Sequence, residues 1–421
     1  MKATVSEPES WKRIIEIEVP DQEIQSAFDE KLNTYKRDMK LPGFRPGKVP
    51  ANLIRQRYGS AIRAEIIDSL VQKAFQQACE ENSINPVAPA KINNMEAPEG
   101  QALKFTVETE VDPKIEITGY NKLKVKPQIN KIKEKDIDIA VENFRERFAE
   151  YKDVDRPAKK GDFIKLDYLK VVIEGVERSD IKNPNYPVEL GGENRIKDFD
   201  KGLIGHSKDE TIDLDVKFPK DYPDADVAGK EGNFQVKITA VQEKVLPELS
   251  EEFLKKLDVT DENDLREKIK QNLEQDETSR AKNEAYNEAI EKLIEENPFD
   301  VPPARIQQFI DYMYQEALKY QRKDTPAPDR AEIEEKYRET AVKALKRQRI
   351  LDYVADKENI KVTQEEVDKE IMQLAQMYNQ PFETLKQTFR QNGTTLKIRS
   401  DLREQKTLDY LIGEYTPQTA E

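Results

Sequence analysis

The chain has 421 residues, 36% of them charged and 37% apolar, and 69 Lys and Arg against 83 Asp and Glu leave a formal charge of −14. At roughly 100–200 residues per domain, this length predicts about two to four domains, and no stretch approaches the ~18 consecutive apolar residues of a membrane-spanning helix. The 15 Phe and 16 Tyr, with many Ile, Leu and Val in periodic segments, exclude a disordered chain and predict several modest cores under much solvated surface.

A single cysteine, Cys79, and a single histidine, His206, narrow the chemistry further. One cysteine forms no internal disulfide, and this pair cannot supply a Cys/His zinc site. Any nucleophile–histidine catalysis would rest on His206, which stands in the polar turn LIGHSKDE and reads as a surface imidazole with no partner and no catalytic role. Neither G-x-x-x-x-G-K-[ST] nor G-x-G-x-x-G occurs, so no nucleotide and no other cofactor is expected. Residues 1–10 are polar and acidic, without the apolar centre of a signal peptide, which predicts a cytoplasmic protein.

In chain order, WKRIIEIEV (11–19) alternates with Trp11, Ile15, Ile17 and Val19 on one side, a half-buried strand. Ile24, Phe28, Leu32, Tyr35 and Met39 then follow helical spacing, with Asp21 as N-cap. This helix stops at Leu41-Pro42-Gly43. A second helix carries Ile62, Ile66, Leu70, Ala74 and Phe75 on one stripe, with Cys79 near it as a small buried apolar residue. LKFTVETEV (103–111) alternates again, which makes residues 1–112 an α+β domain. Residues 113–160 read as an extended, charged connection with a helical stretch around Ile137, Val141, Phe144 and Phe148.

Residues 161–245 change character. FIKLDYLKVVI, YPVEL, TIDLDVKF and FQVKITAVQ are strand-like runs separated by Gly, Pro, Asn and Asp, and RIKDFDKGLIG reads as one short helix, so a small antiparallel sheet around that helix is expected. Residues 246–421 are helical almost throughout, broken at PFDVPPAR (298–305). Thr363 and Glu366 have the spacing of a capping box, and the helix after them places Val367, Ile371, Leu374 and Tyr378 on one face. The fold class is therefore multidomain: α+β, then a small antiparallel sheet, then all-α.

The charge balance inverts between residues 31 and 63. Lys31, Lys36, Arg37, Lys40, Arg45, Lys48, Arg55, Arg57 and Arg63 face one acid, Asp38, a local 9 − 1 = +8. At the centre lies LPGFRPGKVP (41–50), between two helices, where Gly and Pro shape a stiff tip carrying Phe44, Arg45 and Lys48. As a docking hairpin, Arg45 and Lys48 would meet phosphates or carboxylates and Phe44 an apolar pocket. The flanking charge favours a nucleic-acid-rich partner with salt-sensitive affinity. The alternative is an ordinary helix–helix turn whose Phe44 folds back onto the core.

GFRPGKVP followed by ANLIRQRYG resembles the signature of the trigger factor family, bacterial ribosome-associated chaperones. The resemblance implies that Gly43, Phe44, Arg45, Gly47 and Lys48 bind a large-subunit ribosomal protein and adjacent ribosomal RNA at the tunnel exit. Pro46 stands where some members carry a basic residue. Residues 161–245 are similar to the FKBP-type peptidyl-prolyl isomerase domain of that family, through DFIKLDY, YPVELGGENRIKDFDKGLIGHSKDE, FPKDYP and NFQVKI. By matching positions the apolar pocket wall would be Tyr168, Tyr186, Ile196, Phe199, Tyr222 and Phe234. Isomerisation needs no nucleophile or metal; an apolar cleft that strips water from the imide favours its twisted form over a barrier of ~18–20 kcal/mol. The pattern departs at Lys170, at Arg178 and at Lys197-Asp198, and charge at a pocket wall disfavours an apolar proline segment.

The helical residues 246–421 resemble the family's C-terminal cradle, with arm-like helical hairpins. Tyr312, Met313, Met372, Met377 and Tyr378 are the candidate client-binding residues, since Met adapts its shape to varied partners; helix-core packing is the alternative for each. The resemblance spans nearly the whole chain and implies an ATP-independent chaperone that meets nascent or unfolded polypeptides at the ribosome. It also implies a weak homodimer and either isomerase activity or, given the departures, a retained fold with weak or lost activity; composition implies no membrane partner. The rival readings are a free-standing proline isomerase, a soluble or periplasmic holdase, and a passive ribosome-bound scaffold.

Overall fold

The computed structural model describes residues 1–38, 44, 49–178, 184–191, 197–219, 227–250, 253–254, 259–321 and 327–415. They divide into two compact units, residues 1–128 with 281–421 and residues 129–280.

The first unit opens on a four-stranded antiparallel sheet of order β1-β2-β4-β3, with β1 Lys2–Glu9, β2 Lys12–Val19, β3 Lys91–Glu96 and β4 Leu103–Glu110. The alternation expected for residues 11–19 holds through the strand. Ile15, Ile17 and Val19 are buried and sit opposite Val107, Phe105 and Leu103. Trp11 lies in the turn just before β2. Helix α2 (Ala51–Glu81) covers this face with Val71, Ala74, Ala78 and Cys79. Burial raises the Cys79 thiol above its ordinary pKa. β1 and β3 were not expected from the sequence. Both are edge strands; β1 half-buries only Ala3 and Val5, so neither carries a strong alternating signal. Pro8 falls where the β1–β2 register shifts, between Ser6 and Glu9, a position an edge strand tolerates.

Helix α1 (Asp21–Asp38) packs Phe28 and Leu32 against Val49, Ile54, Ile62 and Ile66. Asp21 is its first residue rather than its cap. The carbonyl of Pro20 accepts from the N–H groups of Glu23 and Ile24, so Pro20 holds the cap position and Asp21 stands in the acidic first turn, where it favours the helix dipole.

The C-terminal helices are α5 (Glu262–Glu296, whose last part, from Ala281, belongs to this unit), α6 (Pro303–Lys319), α7 (Arg330–Lys357), α8 (Gln364–Met377), α9 (Phe382–Gln391) and α10 (Thr394–Leu411). One core joins Ala289, Ile290 and Leu293 of α5, Ile350, Leu351 and Val354 of α7, and Leu408 and Leu411 of α10. Ile117 and Val125 of the extended segment 113–128 are buried in that same core. Asn297 fixes the segment: its Oδ1 accepts from Thr118 N at 2.8 Å and Thr118 Oγ1 at 3.1 Å, and its Nδ2 donates to the carbonyls of Thr118 and Leu293. Gly119 follows at φ 82°, where a Cβ would meet Glu296 Oε2 at 2.7 Å. A smaller core of Val367, Ile371, Ala375, Leu385 and Ile398 unites α8, α9 and α10. Thr363 and Glu366 form the expected capping box, Thr363 Oγ1 accepting from Glu366 N at 3.3 Å and Glu366 Oε2 from Thr363 N at 2.9 Å.

The second unit holds α3 (Glu134–Glu146), α4 (Lys197–Leu203) and a six-stranded antiparallel sheet. Its strands are β5 (Glu150–Asp153), β6 (Phe163–Ile173), β7 (Val176–Glu177), β8 (Tyr186–Glu189), β9 (Thr211–Lys217) and β10 (Glu231–Val245). The long β10 pairs with β6 along one edge and with β9 and β5 at different stretches of its length; β6 carries β7 and β8. Helix α4 lies against β9 because residue 202 is glycine: a Cβ there would stand 2.3 Å from Leu214 Cδ2.

The entry to β6 is held by a buried carboxylate. Asp162 accepts from both terminal nitrogens of Arg156, at 2.5 and 3.0 Å, and from Lys159 N at 2.9 Å. Burial alone would raise the Asp162 pKa, but the Arg156 guanidinium and the Lys159 N–H outweigh it and hold the carboxyl below its ordinary value. A depressed folded-state pKa contributes stability that is fully present above the unfolded-state value and is lost as pH falls through the folded one. Stability of this unit, followed by urea unfolding, is therefore expected to be insensitive to Asp162 from neutral pH to about 5 and to lose its contribution only below the ordinary Asp range near ~3.9. Asp162→Asn should cost about 2 kcal/mol at pH 7 and remove that part of the acid dependence. Wild-type stability in the variant at pH 7 would contradict this account.

Candidate functional site

The second unit gathers an aromatic cleft, and two irregularities in strand pairing flank it. Along β6 the residues facing the core are Ile164 and Leu166, then Val171 and Ile173. The phase changes because Leu169 is an extra residue: Tyr168 pairs with Val236 and Lys170 with Gln235. This bulge leaves Leu169 and Lys170 exposed and ends the inward series Ile164, Leu166 and Tyr168 at the partly covered end of the core. The Tyr168 ring lies 5.4 Å from Tyr186, 6.3 Å from Phe199 and 6.0 Å from Phe234. Phe199 and Phe234 meet edge to face at 5.7 Å. Phe234 is buried and forms the floor, while Tyr186, 37% exposed, stands at the rim.

Four of the six wall residues expected from the sequence are thus brought together. Ile196 and Tyr222 lie outside the described residues. Phe218, not anticipated, adds a ring 6.1 Å from Phe234. Its signal was present, since it continues the inward phase of Leu214 and Val216. Of the departures, Lys170 is exposed, and Arg178 donates its backbone N–H to Val171 O at 2.8 Å. The side chain of Lys197 lies outside the described residues. Such a cleft offers π faces and apolar walls and can exclude water from a bound amide; among the described residues no group of three His, Cys, Asp or Glu could hold a metal ion.

His206 differs from expectation. It has a partner, Glu210, whose Oε2 lies 2.6 Å from His206 Nδ1, while Glu210 Oε1 accepts from Ser207 N. The imidazole and the Ser207 N–H hold the Glu210 carboxyl below its ordinary pKa. The pair closes a five-residue surface turn, a separation of four that the sequence showed as H-S-K-D-E.

In the first unit, Phe44 is 41% exposed, whereas Val49, just before α2, is fully buried. Gly43, Arg45, Gly47 and Lys48 lie outside the described residues. The surrounding charge is less free than a count along the sequence suggests. Lys31 pairs with Glu65 at 2.5 Å, Arg55 with Asp29 at 3.2 Å and Arg37 with Asp38 at 3.0 Å. Arg63 donates to the carbonyls of Ala97 and Pro98. Glu65 and Asp29 fall just outside the 31–63 window, one helical neighbour away in space. Arg55 also lies over the Phe28 ring at 5.1 Å, which stiffens the hairpin base.

The helical part of the first unit exposes large apolar side chains: Tyr312 on α6, Met372 and Met377 on α8, and Tyr378 just after it. Met313 is half-buried. Tyr378 was expected on the face of Val367 and Ile371, but α8 ends at Met377, Ala375 completes that face, and Tyr378 turns outward as the C-cap. Met372, Pro381 and Phe382 line an open groove of 420 Å³. Among the described residues no helix is long and apolar enough to cross a membrane.

Comparison with protein families matches residues 1–144 to "Bacterial trigger factor protein (TF)", residues 154–241 to "FKBP-type peptidyl-prolyl cis-trans isomerase" and residues 263–413 to "Bacterial trigger factor protein (TF) C-terminus". The chain is similar to the trigger factor of Marinobacter nauticus, 31% identical over 415 residues that cover 98% of this chain and 95% of that one. It is likewise similar to the trigger factor of Koribacter versatilis, 30% identical over 95% of this chain and 93% of the relative. A solved structure described as "Promiscuous Substrate Recognition in Folding and Assembly Activities of the Trigger Factor Chaperone" shares the fold, with a TM-score of 0.54 at 18% identity over 98% of this chain and all of that one. From its hairpin signature through its FKBP-type sheet to its C-terminal helices, the chain belongs to the trigger factor family.

Proposed function

We propose that this chain is a cytoplasmic, ATP-independent chaperone that docks by its 41–50 hairpin at the ribosomal tunnel exit and holds nascent polypeptides on its exposed Tyr and Met side chains. Gly43, Phe44, Arg45, Gly47 and Lys48 would form the dock, against a large-subunit protein and adjacent ribosomal RNA. The observation that carries the docking reading is Phe44, a large aromatic left 41% exposed in a basic segment whose neighbour Val49 is buried. An ordinary turn would have packed that ring inward. Tyr312, Met313, Met372, Met377 and Tyr378 are the client surface in this reading. A weak homodimer competing for the docking surface belongs to the same proposal.

A second activity is favoured by the aromatic cleft. Tyr168, Tyr186, Phe199 and Phe234, with Ile196 and Tyr222, would receive a proline and its preceding amide. Burial of the imide against rings disfavours the planar, charge-separated resonance form and lowers the barrier to rotation. Exposed Lys170 leaves the described cleft walls apolar, which supports retained isomerase activity.

Four measurements test these roles. Wild-type protein should pellet with ribosomes at near-physiological salt, and a Phe44→Ala, Arg45→Ala, Lys48→Ala triple variant should remain in the supernatant; equal behaviour of the two removes the dock. Because four of the nine local cations are already engaged, at most five remain for phosphate, and the log–log salt slope should be about −4 or shallower rather than about −7. A Met372→Ser, Met377→Ser, Tyr378→Ser variant should suppress aggregation of an unfolded client several-fold less well while keeping its unfolding midpoint and ribosome binding, since exposed substitutions cost within about 0.5 kcal/mol each. Finally, catalytic amounts of wild type should speed a proline-limited refolding reaction; no acceleration at a tenth of the substrate concentration would discard the isomerase role.

A further inference from the structure

The rim ring of the aromatic cleft is anchored by residues that do not belong to the cleft wall. Tyr186 opens β8 opposite Leu166, with its ring against Tyr168. Its own burial is modest, so packing alone holds it weakly. The preceding residue, Asn185, has φ 54°, a left-handed conformation that asparagine adopts more readily than most side chains. Its N–H donates to Asp167 Oδ1 at 2.7 Å. Its side-chain amide lies 3.2 Å from Thr239 Oγ1, and that hydroxyl lies 3.1 Å from the carbonyl oxygen of Lys165. A hydroxyl has one proton to give. With the Asn185 amide turned so that its NH₂ faces Thr239, the Thr239 proton goes to Lys165 and each group is satisfied.

Thr239 reaches this position because it is itself an extra residue. Ile238 pairs with Leu166 and Ala240 with Lys165, so Thr239 is the bulged residue of β10. The clasp therefore joins β6, through Asp167 and Lys165, to β10 and to the first residue before β8. It lies one residue along the chain from Tyr186 on one side and one residue from Tyr168, through Asp167, on the other.

We propose that Asn185, Asp167 and Thr239 are positioning residues that fix Tyr186 as the rim wall of the cleft before a proline-containing segment arrives. The inference rests on the isomerase reading above. A rim ring ordered in advance removes an ordering cost from binding. The contact it offers is much the same for the bound ground state and the twisted state, so the clasp acts on KM and leaves kcat nearly unchanged.

The test uses the full chain and a proline tetrapeptide, with Asp167→Ala, Asp167→Asn, Asn185→Gly and Thr239→Val. Asp167→Ala removes the acceptor, and Asp167→Asn keeps one. Asn185→Gly retains access to the left-handed backbone but removes the amide. Asp167→Ala and Asn185→Gly are expected to raise KM about fivefold, the loss of one hydrogen bond's net contribution, with kcat within about twofold. Thr239→Val should follow in the same direction, and Asp167→Asn should restore the wild-type KM. A wild-type KM in Asp167→Ala, Asn185→Gly and Thr239→Val overturns the proposal, and so does a loss confined to kcat. Thermal unfolding of each variant is followed in parallel; if the KM effect appears only in variants whose unfolding midpoint has collapsed, the role is structural and the proposal fails. A wild type that does not catalyse isomerisation sinks the isomerase reading alone. Peptide affinity then decides the positioning claim: about fivefold weaker binding by the same variants supports it, unchanged binding overturns it, and a wild type that binds no peptide overturns both.

Discussion

The side chain of Asn297 accepts from the backbone N–H and hydroxyl of Thr118 and donates to the carbonyls of Thr118 and Leu293, joining segments 179 residues apart in sequence. Much of the architecture depends on that constraint. Leaving such buried groups unpaired costs about 1–3 kcal/mol each, so residues 113–128 settle only where α5 presents this amide and where the α5, α7 and α10 core accepts Ile117 and Val125. The first unit is therefore built from both ends of the chain, and residues 129–280 are inserted between its two parts. Closing so long a loop adds little entropy beyond that of a moderate one, because the cost rises only with the logarithm of length. The core under the N-terminal sheet closes within residues 1–111, whereas the core of α5 and α7 needs the last helix.

Within the inserted unit, function is set by phase. A β-strand has a strict two-residue period, so one extra residue moves every later side chain to the other face. Leu169 does this in β6 and Thr239 in β10. Without the first bulge, the inward series Ile164, Leu166 and Tyr168 would run on through Lys170, and the lysine rather than Val171 would press on the core. With it, the charged residue that seemed to threaten the cleft is carried outside. The bulge that follows Tyr168 thus disposes of an apparent obstacle to an apolar pocket.

The sequence was legible wherever one face of an element is fully buried. Ile15, Ile17 and Val19, the Ile62–Ile66 stripe of α2, and the Thr363–Glu366 box all fell where period and capping chemistry placed them. The edge strands β1 and β3 were not legible, because an edge buries too little for alternation to appear. Tyr378 misled because the helical period was extended one residue past the end of α8. Bulges leave no mark in a period count, so the outward placement of Lys170, a departure from the family pattern, could not be read from alternation. The paired cations show another limit. A window along the chain counts charge by proximity in sequence, whereas Lys31 and Arg55 are neutralised by Glu65 and Asp29 across the helical hairpin. The residues of the aromatic cleft came from resemblance to the trigger factor pattern rather than from periodicity; composition alone would have assigned Phe234 and Phe199 to an ordinary core.

The exposed side chains of α8 are not a by-product of incomplete packing. On a neighbouring face of the same helix Val367, Ile371 and Ala375 are buried and join the small core with Leu385 and Ile398. Nothing in that core would be lost if Met372 and Met377 were polar, so their cost in solubility needs another compensation. At ~25 cal/mol per Å² of apolar surface, covering one such methionine contributes about 1–2 kcal/mol. In the proposed client-binding role, Met372 and Met377 of α8 and Tyr312 of α6 would give a segment of unfolded chain weak, additive hold with no single anchor. That hold would be lost as soon as the segment found better burial in its own fold. Release would then need no nucleotide, and the chain's net charge of −14 would keep such exposed surfaces apart from one another in the meantime.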